Sequence, residues 1–366
     1  MQYTPNAKSA AEHSVSPLSY RVLYSFGAPN DGSNPQAGVT GEIGGKVYGT
    51  TVALGEFNGG IVFSMTASGS EQVLHNFGYG YDGGEAYAGL IDVGGTLYGT
   101  TSIGGQYRLG TVFSITTAGT EKVLHSFGSG TDGAEPYAGL IDVGGRLYGT
   151  TALGGTYNAG TVFSITLGGT EKVLHSFVGT DGAQPHAGLI DVGGTLYGTA
   201  WVHGEYGGGT VYSITTSGTV IVLHNFGIGY DGSEAYAGLI DVGGTLYSTT
   251  AVGGKYGAGT VYSITTSGTE KVLHSFGKGT DGAYPYATLT SMHGVLYGTT
   301  SKGGTYGAGT AFSVTTGGTE KVLHSFGQGT DGNLPMAGLQ YTAGTFIGTT
   351  SAGGTIGGGT VFSLTP

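Results

Sequence analysis

VLHSFGSGTDGAEPYAGLIDVGGRLYGTTALGGTYNAGTVFSITLGGTEK, residues Val123 to Lys172, is the stretch from which the fold is read. It holds four runs of strand length: VLHSF (Val123–Phe127), AGLIDV (Ala138–Val143), RLYGTT (Arg146–Thr151) and GTVFSIT (Gly160–Thr166). β-Branched and aromatic residues dominate them, and Gly-rich turns separate them, as hairpins require. No stretch keeps a helical period. VLHSF and GTVFSIT are apolar at odd and even positions alike, which suits a sheet covered on both faces.

Outward from this unit, the chain repeats it. The Asp of the Asp-Gly turn recurs as Asp31, Asp82, Asp132, Asp181, Asp231, Asp281 and Asp331, a period of about 50 residues. Four strands in each of seven units predict an all-β chain folded as a seven-bladed β-propeller of four-stranded antiparallel blades. The last unit stops after its third strand, at GTVFSLTP, whereas the first opens on YRVLYSF, Tyr20–Phe26. The N-terminal strand is therefore expected to join the C-terminal blade built by Ala337–Thr365. That closure removes the open edges that invite aggregation. The propeller is placed at 20–366 as a single domain, and 1–19, which lacks the repeat and an apolar run, is read as a flexible leader.

Composition narrows the function. Of 366 residues, 79 are Gly, yet 38% are apolar and only 10% charged. Disorder needs the opposite balance, so the glycines are read as turn residues. The net charge of −11, from 12 basic and 23 acidic residues, leaves no basic stripe for phosphate. Nucleic acid is therefore excluded as a partner. Anionic membrane surfaces are disfavoured for the same reason, and no apolar run is long enough to span a bilayer. The chain has no Cys, which removes thiolate chemistry. No motif asks for a cofactor: GGTYGAGT lacks the Lys-Ser/Thr ending of a phosphate cradle and precedes a strand. A monomer is expected.

The pattern VLHSF, TDGAxPYAGL, LYGTT, GTVFSIT, GTEK resembles the Gloeobacter/Verrucomicrobia (GloVer) tandem repeat from Tyr20 to Pro366. The resemblance implies a bacterial protein of propeller-like repeats, extracellular or attached to the cell surface. It brings no catalytic residues.

Two loops of each unit are long, here Gly128–Tyr137 and Ala152–Ala159. In a four-stranded meander they emerge on one face, where a rigid scaffold carries function. Repeated polar residues are read first as structural. His75, His125, His175, His224, His274 and His324, with Tyr24 in the first unit, are expected to bond the Asp of the turn. One His with one Asp is too few for a metal, so no metal site is assigned. Asp92, Asp142, Asp191 and Asp241 precede a tight turn and are read as hairpin formers. Tyrosines crowd the long loops, and Tyr offers a flat apolar face with a hydroxyl, suited to stacking on a sugar or anchoring an interface. Tyr107, Tyr137, Tyr157, Tyr236 and Tyr256 are the candidate ligand contacts among them.

The fourth unit breaks the pattern. LYGTAWVHGEYGGGT holds the only Trp, Trp201, followed by His203, Glu205 and Tyr206, and its other long loop has His186 in place of Tyr. These five are expected to share one neighbourhood. Trp201 is assigned to ligand binding. His186, His203, Glu205 and Tyr206 are the catalytic candidates, since His or Tyr can move a proton. Glycoside hydrolysis ordinarily needs a second carboxylate, for which Glu56, Glu85, Glu135 and Glu234 lie in analogous loops. Arg108 is the only Arg in the long loops and suits an anionic group. Two functions stay open: a propeller binding a glycan or surface protein through its long loops, and a carbohydrate-active lyase or hydrolase with one site near the fourth unit. A purely structural surface module is the third.

Overall fold

A computed structural model describes residues 19–365; most of the expected leader, and Pro366, lie outside the described residues. Seven blades surround one axis. In blade 3 the strands Ile141–Val143, Arg146–Thr151, Thr161–Thr166 and Glu171–Ser176 form a meander from the axis outward. Blades 2, 4, 5 and 6 repeat this order. Blade 7 is completed from the other end of the chain: Ser19–Ser25 pairs antiparallel with Thr360–Thr365 as its outer strand. Ser19, assigned to the leader from sequence, is thus the first residue of that strand, opposite Thr365.

The sequence unit and the blade are offset by one strand. VLHSF is the outer strand of one blade, and the rest of its unit builds the next. The inner strands are shorter than AGLIDV suggested. Only Ile141–Val143 pairs, because Ala138 turns its carbonyl to the preceding blade, where Thr100 donates to it at 2.9 Å. Blade 1 has three full strands and a single inner bridge, Ile43 to Lys46. Gly41 stands there where blade 2 has Ile91, and Gly weakens a strand.

The core lies between blades. Phe127 of one outer strand meets Phe163 of the next blade edge-on at 5.1 Å. The same pairing recurs at every interface, from Phe26–Phe63 to Phe326–Phe362. The middle strands are almost wholly buried, whereas the outer strands are half-buried. The last three members of the YGTT motif have distinct parts. Phe113 lies so close over Gly99 that a Cβ would stand 2.7 Å from its ring. Thr100 bonds the next blade, and Thr101 shares a hydrogen bond with Thr111 at 2.8 Å.

A second seam is made by a residue held at positive φ in every unit: Asn34, Glu85, Glu135, Gln184, Glu234, Tyr284 and Leu334. The N–H of Glu135 donates to Leu109 of the preceding blade, and its carbonyl accepts from Ala152 of its own. One backbone bond across the seam and one within the blade offset the strain of a left-handed non-glycine residue.

Candidate functional site

Both long loops of each blade emerge on one face, joined by short bridges such as Ala134 to Leu153. The short turns occupy the other face. There Asp92, Asp142, Asp191 and Asp241 accept the N–H of the Gly three residues on at 2.9–3.0 Å, the expected hairpin role.

The His–Asp pairs are also structural. Each His Nε2 meets its Asp at 2.7–3.1 Å, and Tyr24 donates to Asp31 at 3.0 Å in the remaining unit. The second carboxylate oxygen typically accepts a backbone N–H, as Asp132 does from Gly128 at 2.9 Å. Every pair therefore pins an outer strand to its crossover loop. Among the described residues no group of three or more His, Cys, Asp or Glu stands ready to hold a metal ion.

At the axis, three residues of each unit line a cavity of about 170 Å³, and the first of each set is the large one: Gln36, Tyr87, Tyr137, His186, Tyr236, Tyr286 and Met336. Five of the seven are aromatic and form a continuous arc. His186 is stacked between Tyr137 and Tyr236, each 4.9 Å away. Tyr87 and Tyr286 end the arc edge-on at 5.1 and 5.3 Å. Gln36 and Met336 fill the gap. Tyr137 donates to Glu135 at 3.0 Å and Tyr87 to Glu85 at 3.4 Å, so the carboxylates orient the rings.

Trp201 backs this collar, perpendicular to His186 at 5.0 Å and to Tyr236 at 6.1 Å. Burial pushes His186 down to about 4, so the imidazole is neutral at physiological pH. Burial pushes Tyr236 up to about 12. Two polar atoms here are buried with no partner among the described residues: His186 Nδ1 and Trp201 Nε1. Buried donors and acceptors are normally satisfied.

The five residues expected in one neighbourhood fall into two groups. His186 and Trp201 join the collar. His203, Glu205 and Tyr206 are exposed, and the chain there runs to the rim: the N–H of Glu205 donates to Asn225 of the outer strand at 2.9 Å. The neighbouring Glu205 carboxylate pushes the pKa of the Tyr206 hydroxyl up. Of the predicted ligand contacts, Tyr137 and Tyr236 are in the collar. Tyr107, Tyr157 and Tyr256 are exposed toward the rim, as is Arg108, held at a φ of 63°.

The sequence model of the Gloeobacter/Verrucomicrobia repeat matches residues 12–209 and again 140–362. The chain belongs to the Gloeobacter/Verrucomicrobia repeat family. No curated protein sequence matches it. Among solved structures, this Gloeobacter/Verrucomicrobia repeat protein is similar to virginiamycin B lyase from Staphylococcus aureus. The TM-score is 0.62 at 14% identity, over 95% of this chain and 99% of the lyase. A putative 6-phosphogluconolactonase from Bacteroides uniformis aligns at a TM-score of 0.53 and 13% identity, over 85% of this chain and 89% of its own. PorZ, a surface component of the type-IX secretion system of Porphyromonas gingivalis, aligns at 0.56 and 14%, over 93% of this chain and 47% of its own. At such identity these likenesses are likenesses of fold.

Sequence reasoning missed part of the face of this repeat protein. Gln36 and Met336 complete the axial ring, and Phe57, Tyr79 and Tyr81 stand exposed near the rim. The signal for the rim residues was present. Tyr79 and Tyr81 occupy positions held by Ser129 and Thr131 in the next unit, a departure of the kind that drew attention to Trp201.

Proposed function

We propose that this protein binds a glycan at the axial mouth of its long-loop face, outside the cell or at its surface. The observation that carries the reading is the pair of unpartnered polar atoms, His186 Nδ1 in the aromatic collar that lines the cavity and Trp201 Nε1 directly behind it. A neutral imidazole has one donor and one acceptor nitrogen, and indole is a donor only. Ligand hydroxyls reaching these atoms would relieve the cost of leaving them unpaired. The arc also offers ring faces where it is interrupted: Tyr87 and Tyr286 each have an aromatic neighbour on one side only. A sugar, with C–H faces and peripheral hydroxyls, matches both features. The family resemblance supports the location.

The catalytic reading has less support. It rests on His203, Glu205 and Tyr206 acting with His186, and these three stand exposed, with no hydrogen bond or ring pairing to the collar among the described residues. The lyase and lactonase folds do not transfer an activity, since propellers host unrelated functions.

Trp201 is the only Trp, so its fluorescence reports directly on the mouth. Titration with a panel of neutral oligosaccharides is expected to give a saturable change for at least one. His186→Phe should abolish it, and Tyr157→Ala at the rim should not. Absence of any saturable change, confirmed by calorimetry, would remove the proposal.

A further inference from the structure

The sector between blades 1 and 2 sets two exposed tyrosines of the crossover beside an arginine of the next loop. Phe57 and Asn58 come from the second long loop of blade 1, Tyr79 and Tyr81 from the crossover to blade 2, and Ile103 and Arg108 from the second long loop of blade 2. Phe57, Asn58, Tyr81, Ile103 and Arg108 line a cleft of about 520 Å³ on the long-loop face, and Tyr79 stands beside it, bordering the adjoining open space. The floor of the cleft is glycine backbone, at Gly59, Gly83, Gly84 and Gly104. Tyr79 and Tyr81 are 73% and 70% exposed, more than any other large apolar or aromatic side chain described. Phe57 leans on Tyr79 at 5.3 Å.

Arg108 makes this cleft particular. Its φ of 63° is left-handed, a conformation that is strained for a long side chain. The corresponding residues are Gly207, Gly257, Gly307 and Gly357, or Asn58 and Asn158, types that adopt it readily. The other units meet the same left-handed backbone with residues that tolerate it, so a long cationic side chain kept here points from geometry to use. Among the described residues the guanidinium takes part in no ion pair and no hydrogen bond. It is thus a free cation on a chain of net charge −11, at the edge of an aromatic cleft.

We infer that this cleft is a second binding site, distinct from the axial mouth, for a saccharide bearing a carboxylate: a uronic acid within an oligosaccharide. The guanidinium fork meets a carboxylate with two parallel hydrogen bonds. Tyr79 and Tyr81 offer a flat apolar face with a hydroxyl at the end, matching a sugar ring whose faces are C–H and whose edge is hydroxylic. An apolar peptide would call for a concave pocket to bury its side chains. This cleft is open and its floor is polar backbone.

The structure supplies its own control. The sector between blades 4 and 5 has similar residues, Tyr206, Ile228 and Tyr230, all exposed, but Gly257 where Arg108 stands. It lacks the cation, and so the basis for choosing an acidic sugar.

The test is calorimetric titration of the whole protein with oligogalacturonate, oligoguluronate, oligomannuronate and hyaluronan hexasaccharides, each beside its own methyl ester. At least one acid is expected to bind, more weakly as salt is raised, and its ester to bind at least about tenfold less well. Arg108→Gly should weaken the acid by the same factor. Glycine suits the left-handed backbone, so this variant keeps its fold, and a melting temperature no lower than the parent's verifies that. Tyr79→Ala with Tyr81→Ala should also weaken binding, whereas His186→Phe at the axial mouth should leave it unchanged. The inference is overturned if no uronate oligosaccharide binds, or if Arg108→Gly binds the acid as well as the parent does. Because His186→Phe reads the axial mouth separately, failure at one site is not confused with failure at the other.

Discussion

Thr349 donates its hydroxyl to the carbonyl of Ala37 at 2.9 Å, although the two residues stand 312 positions apart in the chain. The same bond is made at six of the seven interfaces, as by Thr100 to Ala138 and Thr199 to Ala237, while Thr249 donates to the carbonyl of Pro285 instead. The Thr349 bond ties blade 7 to the segment that leads into blade 1, near the axis. The strand Ser19–Ser25 ties the same chain ends at the rim. Thr349→Val keeps the shape and removes the donor, leaving a buried acceptor one partner short. A loss of about 1–2 kcal/mol is expected in chemical denaturation, matching Thr199→Val. A cost at Thr199 with none at Thr349 would show that the inner bond does not contribute to closure.

The units disagree in one informative place. Tyr24 replaces the recurrent His and reaches Asp31 at 3.0 Å, the distance His75 keeps to Asp82. A phenol therefore serves where an imidazole does. His125→Tyr is expected to keep stability within about 0.5 kcal/mol of the parent. His125→Leu strips Asp132 of its side-chain partner and should cost about 1–3 kcal/mol. Denaturation curves of the two variants decide this, and equal losses would mean that the pair contributes packing rather than a hydrogen bond.

Acidity is built into the blade interfaces. Glu71, Glu121, Glu171, Glu270 and Glu320 each bury one carboxylate oxygen with no partner. Burial first, and then the Asp of the preceding blade's pair, pushes Glu171 up to about 7. Its folded value exceeds its unfolded one. The group's stabilising contribution is therefore complete below about pH 4.5 and is lost as pH rises through about 7. Glu171→Gln cannot titrate, so its melting temperature should gain on the parent's between about pH 5 and about pH 8. Curves that stay parallel over that span would show the carboxyl unperturbed. Blade 4 has Val220 at this position, so an apolar side chain is accommodated there.

Much of this architecture was legible because it repeats. An alternation that fails on both faces, a Gly at each fixed offset and a missing final strand lead to a closed ring, and the ring is what forms. The His–Asp pair was legible from its spacing. The outer strands carry a bulge at Leu124 and its equivalents, for which a run of apolar residues gives no signal. The loop of the fourth unit was misjudged for a geometric reason. Trp201 and Tyr206 are five positions apart in sequence, but the loop spans the blade radially, so one reaches the axial collar and the other the rim. Residues brought together from different units, such as His186 with Tyr236, or Tyr81 with Arg108, have no local pattern to announce them.

The closing strand has a mechanical meaning. Ser19 lies opposite Thr365, and Ser25 opposite Thr360, so the two ends of the propeller leave it side by side. A load drawn through both ends would not shear the strand pair along its length. It would peel the pair from the Ser19–Thr365 end, one rung at a time, and meet little resistance. The ring is a weak link in a line under tension between its ends, and a firm one when it hangs from either end alone.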